Sequence, residues 1–261
     1  MDLHLHGRSA LVTGASAGIG LAAAHTLAAE GCNLVLVSRT QQALEDAAAA
    51  IRARHRVEVQ VAPADLTEEG VAQALVARFG DADILVNNAG AIPGGTIADV
   101  DQARWRAGWE LKVFGFIAMT RAFYARMQAR RRGVIVNIIG ASGTGVDHRY
   151  IAGSMGNAAL EAMTKALGVA AVDHGVRVVG ISPGVVLTER SRKLLQGRAQ
   201  DKFGDPERWK DLLSHLPFGR TATTEEISSA VAFLASDRSG YTSGTIVTID
   251  GGHSQRTNWW G

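Results

Sequence analysis

Seven short runs rich in Val, Ile and Leu alternate with longer helical stretches along this chain of 261 residues. Each run is continuously apolar, which is typical of strands that are buried on both faces of a sheet. The predicted strands are residues 10–13, 33–38, 57–62, 83–87, 134–139, 177–182 and 245–250. Because strand and helix follow one another in this way, the sequence predicts an α/β fold of the Rossmann type, doubly wound, with helices on both faces of a parallel sheet.

The helical stretches between these runs are predicted at residues 18–30, 41–54, 68–79, 101–131, 154–173 and 225–236. Thr67 and Thr224 precede pairs of glutamates and are predicted N-caps. Residues 188–223 have mixed charge and contain two prolines, and we expect an irregular substrate lid there, since compact domains use long loops for binding. No linker or repeat divides the chain, so a single dinucleotide-binding domain over residues 1–261 is expected.

Composition excludes several classes of protein. A hydrophobic content of 46% with a net charge of only +2 excludes disorder and a large basic field for nucleic acid. The single cysteine, Cys32, argues against a secreted disulfide scaffold, and His4 and His6 lack a third ligand for a metal site. The start has no signal-like region, and the longest uncharged stretch, residues 9–29, is broken by polar residues. We therefore expect a cytoplasmic protein with a small-molecule substrate, no nucleic acid, no membrane and no metal.

A glycine-rich turn, Thr13-Gly-Ala-Ser-Ala-Gly-Ile-Gly20, follows the first predicted strand and opens the first helix. Glycines at 14, 18 and 20 permit a tight turn, close approach of a pyrophosphate and packing of the helix on the sheet. The helix N-terminus offers free N–H groups to the phosphates. A purely structural turn is the alternative, but its place between strand and helix favours a dinucleotide site.

The chain resembles the short-chain dehydrogenase/reductase family over about residues 8–253. The resemblance rests on the three turn glycines, Asp65-Leu66, Asn87-Asn88-Ala89-Gly90, Ser182-Pro183-Gly184 with Thr188, Phe233–Asp237, Val247 and Asp250-Gly251-Gly252. The resemblance implies a seven-stranded sheet, usually a tetramer, Asp65 at the adenine, and Pro183 to Thr188 around the nicotinamide amide. The cofactor-binding residues that we predict are Gly14, Ser16, Gly18, Ile19, Gly20, Ser38, Arg39, Asp65, Leu66, Asn88, Ala89, Gly90, Asn157, Pro183, Gly184, Val186 and Thr188.

The end of the second strand indicates which nucleotide is bound. An acidic residue there binds the ribose 2′-hydroxyl of NAD, whereas an arginine accommodates the 2′-phosphate of NADP. This chain has Ser38-Arg39 and no acidic residue before Glu45. A guanidinium suits a phosphate in shape and charge, so NADP is predicted and NAD is less favoured, with simple stacking of Arg39 on adenine as the alternative.

The catalytic residues that the resemblance implies are absent from the sequence. Family members use a tyrosine acid/base, a lysine four residues later, a serine thirteen residues earlier and an asparagine on the preceding helix. Here no tyrosine is followed by lysine at the fourth residue, and the register places other residues at the four positions. These are Lys112 for asparagine, Gly140 for serine, Gly153 for tyrosine and Asn157 for lysine. The sequence therefore predicts a divergent member without the usual catalytic set.

Our hypothesis for the replacement chemistry is a relocated pair, with Tyr150 as acid/base and Lys112 as its electrostatic partner, beside the Ser142 hydroxyl. The alternative is that Lys112 binds loop carbonyls and Tyr150 only lines the pocket. Asp147 and His148 are further candidates for moving a proton.

Three functions are compatible with these residues. The first is an NADP-dependent oxidoreductase for a carbonyl or alcohol, with non-standard acid/base groups. The others are a non-redox lyase or hydratase and a catalytically silent NADP-binding or regulatory subunit. A homotetramer or homodimer is expected through residues 101–131 and 154–173, because the first of these helices is rich in aromatics: Trp105, Trp109, Phe114, Phe116 and Phe123. Trp259 and Trp260 are expected to pack on a neighbouring subunit or to fray.

Overall fold

One parallel sheet of seven strands organises the protein, in the order β3-β2-β1-β4-β5-β6-β7. A computed structural model describes residues 1–256, so Trp259 and Trp260 lie outside the described residues. The strands are β1 (Ser9–Thr13), β2 (Asn33–Ser38), β3 (Val59–Pro63), β4 (Ile84–Asn87), β5 (Gly133–Ile138), β6 (Val176–Pro183) and β7 (Ile246–Ile249). The predicted Rossmann-type architecture is confirmed.

Eight α-helices connect or follow these strands in the described part of the chain. They are α1 (Gly18–Ala29), α2 (Gln41–Arg52), α3 (Val71–Phe79), α4 (Gln102–Trp109), α5 (Gly115–Arg130), α6 (Ile151–Ala171), α7 (Glu189–Phe203) and α8 (Thr224–Ala235). Helices α1, α2 and α8 bury side chains on one face of the sheet, and α3 and α5 bury theirs on the other.

Strand β1 shows why the apolar runs are continuous. Val12 joins the core under α1 and α8, whereas its neighbour Leu11 joins the core on the opposite face. Both side chains are fully buried. Successive strand residues point to opposite faces, so a strand covered on both sides needs apolar residues at every position.

Two predicted helix starts are wrong. Thr67 does not cap α3, because its hydroxyl donates to Asp65 at 2.8 Å and the helix begins four residues later, after Gly70. Helix α8 is capped by Thr223 rather than Thr224, and Thr223 forms a reciprocal capping box with Glu226. A Thr-x-x-Glu pattern satisfies two backbone groups at once, which is why the cap lies one residue earlier.

The single helix predicted at residues 101–131 is interrupted. Residues Glu110–Phe114 form one π-helical turn between α4 and α5. A π-turn accommodates an extra residue and is frequent at functional sites. Lys112 lies in this turn.

The segment 188–223 is not irregular. It contains α7 and a 3₁₀ helix, Pro206–Leu213, which pack together around Ala199, Trp209 and Leu213. The sequence signal for α7 is weak because Ala199 is its only buried residue. Seven of its fifteen residues are charged and Leu194 is 58% exposed, so no buried apolar stripe marks it as a helix.

Three of the five aromatic side chains predicted at a subunit interface pack inside the protein instead. Phe116 and Phe123 are buried in the protein's own core, and Trp109 packs against the cluster that contains Phe116. Of these aromatics Phe114 is 49% exposed.

Within residues 1–256, no helix combines the length and the apolar character that crossing a membrane requires.

Candidate active site

A cleft of about 1430 Å³ opens at the carboxyl ends of the strands. The turn after β1, the ends of β4 and β5, and the connection from β6 to α7 form its walls. Strands β1 and β4 are adjacent in the sheet although two strands separate them in sequence, so the chain order reverses here. Doubly wound folds bind ligands at such a switch point.

Eleven predicted cofactor residues line this cleft: Gly14, Gly18, Ile19, Asn88, Ala89, Gly90, Asn157, Pro183, Gly184, Val186 and Thr188. The other six lie outside its lining: Ser16, Gly20, Ser38, Arg39, Asp65 and Leu66. Of the predicted catalytic residues Lys112, Ser142 and Tyr150 line the cleft, as do Asp147 and His148.

The glycine-rich turn is held by residues at the end of β4. Asn88 Nδ2 donates to the carbonyl oxygens of Thr13 and Gly14, at 3.0 and 3.3 Å. In return, Thr13 Oγ1 accepts the backbone N–H groups of Asn88 and Ala89, at 2.9 and 3.1 Å. Gly20 has no room for a side chain, because a β-carbon there would overlap Asn88 and the Gly14 carbonyl. Asn88 therefore fixes the shape of the turn.

The turn and the start of α1 fit a pyrophosphate. Gly14 and Gly18 adopt positive φ values of 66° and 58°. The residue that precedes α1, Ala17, has no side chain that can cap the first N–H groups of the helix, so these donors are available to an anion. A β-carbon on Gly18 would lie 3.3 Å from Thr188 Cγ2, so the lid connection closes over the turn.

The ends of the neighbouring strands β2 and β3 present polar groups of both signs. The Ser38 hydroxyl is buried and has no hydrogen-bond partner within residues 1–256. Asp65 accepts the Thr67 backbone N–H at 3.0 Å and its hydroxyl at 2.8 Å. These two bonds, with a smaller contribution from the nearby Arg39, hold the pKa of Asp65 below its usual range. An unused hydroxyl beside an exposed arginine suits a ligand with hydroxyl or phosphate groups.

Lys112 reaches from the π-turn to the end of β5. Its Nζ donates to the carbonyl oxygens of Ile138 at 3.0 Å and Ile139 at 2.9 Å. Its stem crosses Gly90, where any β-carbon would overlap the lysine Cδ. Burial lowers the pKa of Lys112 to about 8. Lys112 therefore binds loop carbonyls, which is the alternative that the sequence left open.

Asn157, on α6, holds the loop after β5. Its Nδ2 donates to Ser142 Oγ at 2.8 Å. A β-carbon on Gly140 would lie 2.8 Å from the same Nδ2, and Gly140 has a φ of 152°. The close approach of Asn157 therefore requires glycine at position 140.

Tyr150 immediately precedes α6, and its ring covers Gly153. A β-carbon built on Gly153 would overlap the ring atoms Cε1 and Cζ of Tyr150. Burial raises the pKa of the phenol, and the charge of Arg190 acts in the opposite direction. The predicted lowering of the phenol pKa by Lys112 is wrong, because desolvation outweighs charge here and the charge that acts is that of Arg190.

Comparison with known proteins gives one consistent result. The family model described as Enoyl-(Acyl carrier protein) reductase matches residues 14–254. Galactitol 2-dehydrogenase (L-tagatose-forming) from Cereibacter sphaeroides is 36% identical over 256 residues, which cover 96% of each chain. A solved structure described as a short chain dehydrogenase/reductase family protein is 35% identical, with a TM-score of 0.84, over 98% of this chain and all of that one.

The chain belongs to the short-chain dehydrogenase/reductase family. A further structural relative is L-sorbose reductase from Gluconobacter frateurii, crystallised with NADPH and L-sorbose. It is 31% identical, with a TM-score of 0.91, and the alignment covers 98% of this chain and 100% of that one.

In this member of the short-chain dehydrogenase/reductase family, Asp147 and His148 occupy the rim of the cleft. Asp147 accepts the backbone N–H of Arg149 at 2.9 Å and its guanidinium at 3.3 Å. The backbone bond is the largest cause of the lowered pKa of Asp147. The His148 side chain is 81% exposed. The Asp147 carboxylate is thus already engaged, and the imidazole of His148 faces solvent.

Sequence reasoning missed Glu161, which lies one helical turn after Asn157. Its carboxylate is buried and accepts the hydroxyls of Ser182 at 3.1 Å and Thr144 at 3.2 Å. It thus connects the loop after β5 with the end of β6. The spacing of four residues from Asn157 was the available signal, because residues four apart share a helix face.

Proposed function

We propose that the protein is an NADP-dependent oxidoreductase that interconverts a carbonyl and an alcohol on a small molecule. The observation that carries this proposal is the Tyr150 ring, which fills the space over Gly153 in the cleft beside the glycine-rich turn. The phenol that the family supplies from position 153 is supplied here from position 150. We accordingly propose a divergent catalytic set, with Lys112, Gly140, Gly153 and Asn157 at the family's four positions.

Separate residues would bind the nucleotide and position it for the reaction. The start of α1 would hold the pyrophosphate, Arg39 and Ser38 the 2′-phosphate, and Asp65 with Leu66 the adenine. Asn157 and the stretch Pro183 to Thr188 would hold the nicotinamide end. The chemistry that bound NADPH would supply is a hydride for the carbonyl carbon. Two solved relatives of this chain, L-sorbose reductase and the actinorhodin polyketide ketoreductase variant, were crystallised with NADPH.

Tyr150 donates the proton that the substrate oxygen takes up during reduction. Its raised pKa keeps the phenol protonated at neutral pH, which is the form that a general acid needs. Ser142 accepts a hydrogen bond from Asn157, so its own O–H is available to hold the substrate oxygen. Lys112 contributes a fixed positive charge at the end of β5.

Substrates of the sugar or polyol type are favoured by the relatives. Galactitol 2-dehydrogenase, L-xylulose reductase and L-sorbose reductase all carry such substrates in their names. The test is an NADPH fluorescence titration followed by turnover on a panel of ketoses, polyols, simple ketones and oxo acids. We expect NADPH binding and measurable reduction of at least one compound. Absence of NADPH binding would refute the proposal, and binding without any turnover would favour a silent subunit.

We also propose that residues 1–261 form one domain that assembles as a homotetramer or homodimer. Helices α5 and α6, the two longest helices within residues 1–256, each expose an apolar side chain: Ile117 is 40% exposed and Met155 is 50% exposed. Phe114, in the adjoining π-turn, adds to this surface. Light scattering should give a mass of two or four chains, and Phe114→Glu should lower it; a 27.5 kDa species at micromolar concentration would refute the assembly.

A further inference from the structure

The side chains that line the cleft carry more positive than negative charge. The lysines and arginines are Lys112, Arg149, Arg190, Lys193 and Arg256. The acidic residues are Asp147, Glu189 and Asp250. A cleft with an excess of one sign attracts ligands of the other sign. Which of these charges is available to a ligand depends on the bonds that each already makes.

The three carboxylates are all engaged. Asp147 pairs with Arg149 at 3.3 Å, and Glu189 pairs with Lys193 at 2.6 Å. Asp250 accepts the backbone N–H groups of Gly252 and Ser254, both at 2.7 Å. The charges of Arg149 and Lys193 are therefore balanced by neighbours.

Two of the remaining cations bind backbone carbonyls. Lys112 donates to the carbonyl oxygens of Ile138 and Ile139 at the carboxyl end of β5. Arg256 donates to the His215 carbonyl at 3.5 Å, on the outer side of the cleft. Arg190 differs from both, since its guanidinium has no hydrogen-bond or ion-pair partner within residues 1–256. It is the second residue of α7, the lid helix, and it lines the cleft.

Arg190 is found in the same cleft as Tyr150, the proposed general acid. The charge of the guanidinium acts on the phenol. A ligand in this cleft can therefore reach an exposed guanidinium whose five N–H donors are not accepted by any group within residues 1–256. The planar guanidinium binds a carboxylate through two parallel hydrogen bonds.

We propose that Arg190 binds a carboxylate of the substrate, so that the substrate is a carbonyl compound that also carries an acid group. This inference rests on the proposed function and adds the substrate class to it. Reduction of such an oxo acid would yield the corresponding hydroxy acid, with the hydride going to carbon and the proton to oxygen.

A phosphate of the nucleotide is the other source of an anion near α7, because Thr188 lies against the glycine-rich turn. The two sources predict different results. If Arg190 binds the substrate, Arg190→Gln leaves nucleotide affinity unchanged. If it binds the pyrophosphate, the same variant weakens NADP binding and leaves any preference for acids intact.

The experiment measures calorimetric binding to the protein loaded with NADP⁺, which cannot reduce a ketone. The probes are acetoacetate and pyruvate, each compared with its methyl ester. We expect the acids to bind about 10-fold or more tightly than the esters, and Arg190→Gln to remove this preference. Arg192→Gln is the matched control, because Arg192 is exposed on the same helix and does not line the cleft.

Acids that bind no more tightly than esters to the wild type would overturn the proposal, and so would a preference that survives in Arg190→Gln. Failure of the proposed function has a different signature, since the wild type would then bind no NADP⁺. In that case the same acid and ester titrations on the nucleotide-free protein decide the Arg190 site separately.

Discussion

The Tyr150 ring lies over Gly153, in the volume that a side chain on Gly153 would need. The two residues are three apart, across the start of α6, and Tyr150 adopts a non-helical φ of −137° just before the helix begins. Only one of the two positions has room for an aromatic ring. A tyrosine at 150 therefore requires a glycine at 153, and the phenol enters the cleft from the loop instead of from the helix.

Replacing Tyr150 by Phe should reduce turnover about 10²- to 10⁴-fold, because the proposed general acid is lost while the ring still covers Gly153. The affinity for NADPH should stay unchanged. Steady-state kinetics with a fluorescence titration checks both quantities. In the wild type, reduction should persist through neutral pH and fall on the alkaline side, since the raised pKa of the phenol keeps it protonated until then.

Tyr124→Phe is the matched control, because Tyr124 lies on α5 away from the cleft lining. It should leave turnover unchanged. Full activity in Tyr150→Phe would instead transfer the acid role to Asp147, His148 or water.

Replacing Arg39 by Ala should weaken NADPH binding about 10- to 100-fold, since the proposed charge-assisted contact to the 2′-phosphate is lost. NADH lacks that phosphate, so its affinity should change little and serves as the internal control. Parallel fluorescence titrations of the two nucleotides give both constants. Equal weakening of NADPH and NADH would show that Arg39 only stacks on the adenine.

Lys112 should make stability depend on pH in the alkaline range. Its pKa is about 8 in the folded protein and 10.5 when unperturbed, so the unfolded chain binds more protons between these values. The free energy of unfolding should therefore rise with pH across this window, by roughly 1 kcal/mol per pH unit. Below pH 8 the Lys112 amine is protonated in both the folded and the unfolded protein. The free energy of unfolding is then lowered by the full cost of burying the charge.

Urea unfolding of the wild type and Lys112→Met at pH 7, 8, 9 and 10 measures this effect. The difference between them should move in favour of the wild type as the pH rises from 8 to 10. A difference that is independent of pH would contradict the lowered pKa.

Replacing Glu161 by Ala should lower the free energy of unfolding by about 1–3 kcal/mol, because the hydroxyls of Ser182 and Thr144 lose their acceptor inside the protein. Glu161→Gln retains the shape and one acceptor oxygen, and it should cost less. Urea unfolding at neutral pH compares the two variants. An alanine variant as stable as the glutamine variant would show that the two bonds contribute little.

Local patterns determined the architecture of this protein. The continuous apolar strand β1 and the glycines at 14, 18 and 20 are short-range features, and each forms the predicted strand or turn. Such patterns are sufficient because a strand that is covered on both faces tolerates few polar residues, and a tight turn needs glycine. The position of Arg39 after β2 was equally visible in the chain.

Tertiary structure alone decided how the cleft is built. The partners of Lys112 are carbonyls 26 and 27 residues away, and Glu161 bonds to Thr144 and Ser182, which lie in separate segments. No local pattern encodes these bonds, because they depend on where the sheet places the ends of different strands. Helix α7 was missed for a related reason, since it packs mainly on its own 3₁₀ neighbour and presents no apolar stripe. The sequence thus determined the sheet and the turn for the nucleotide, and packing between distant segments decided which groups face a substrate.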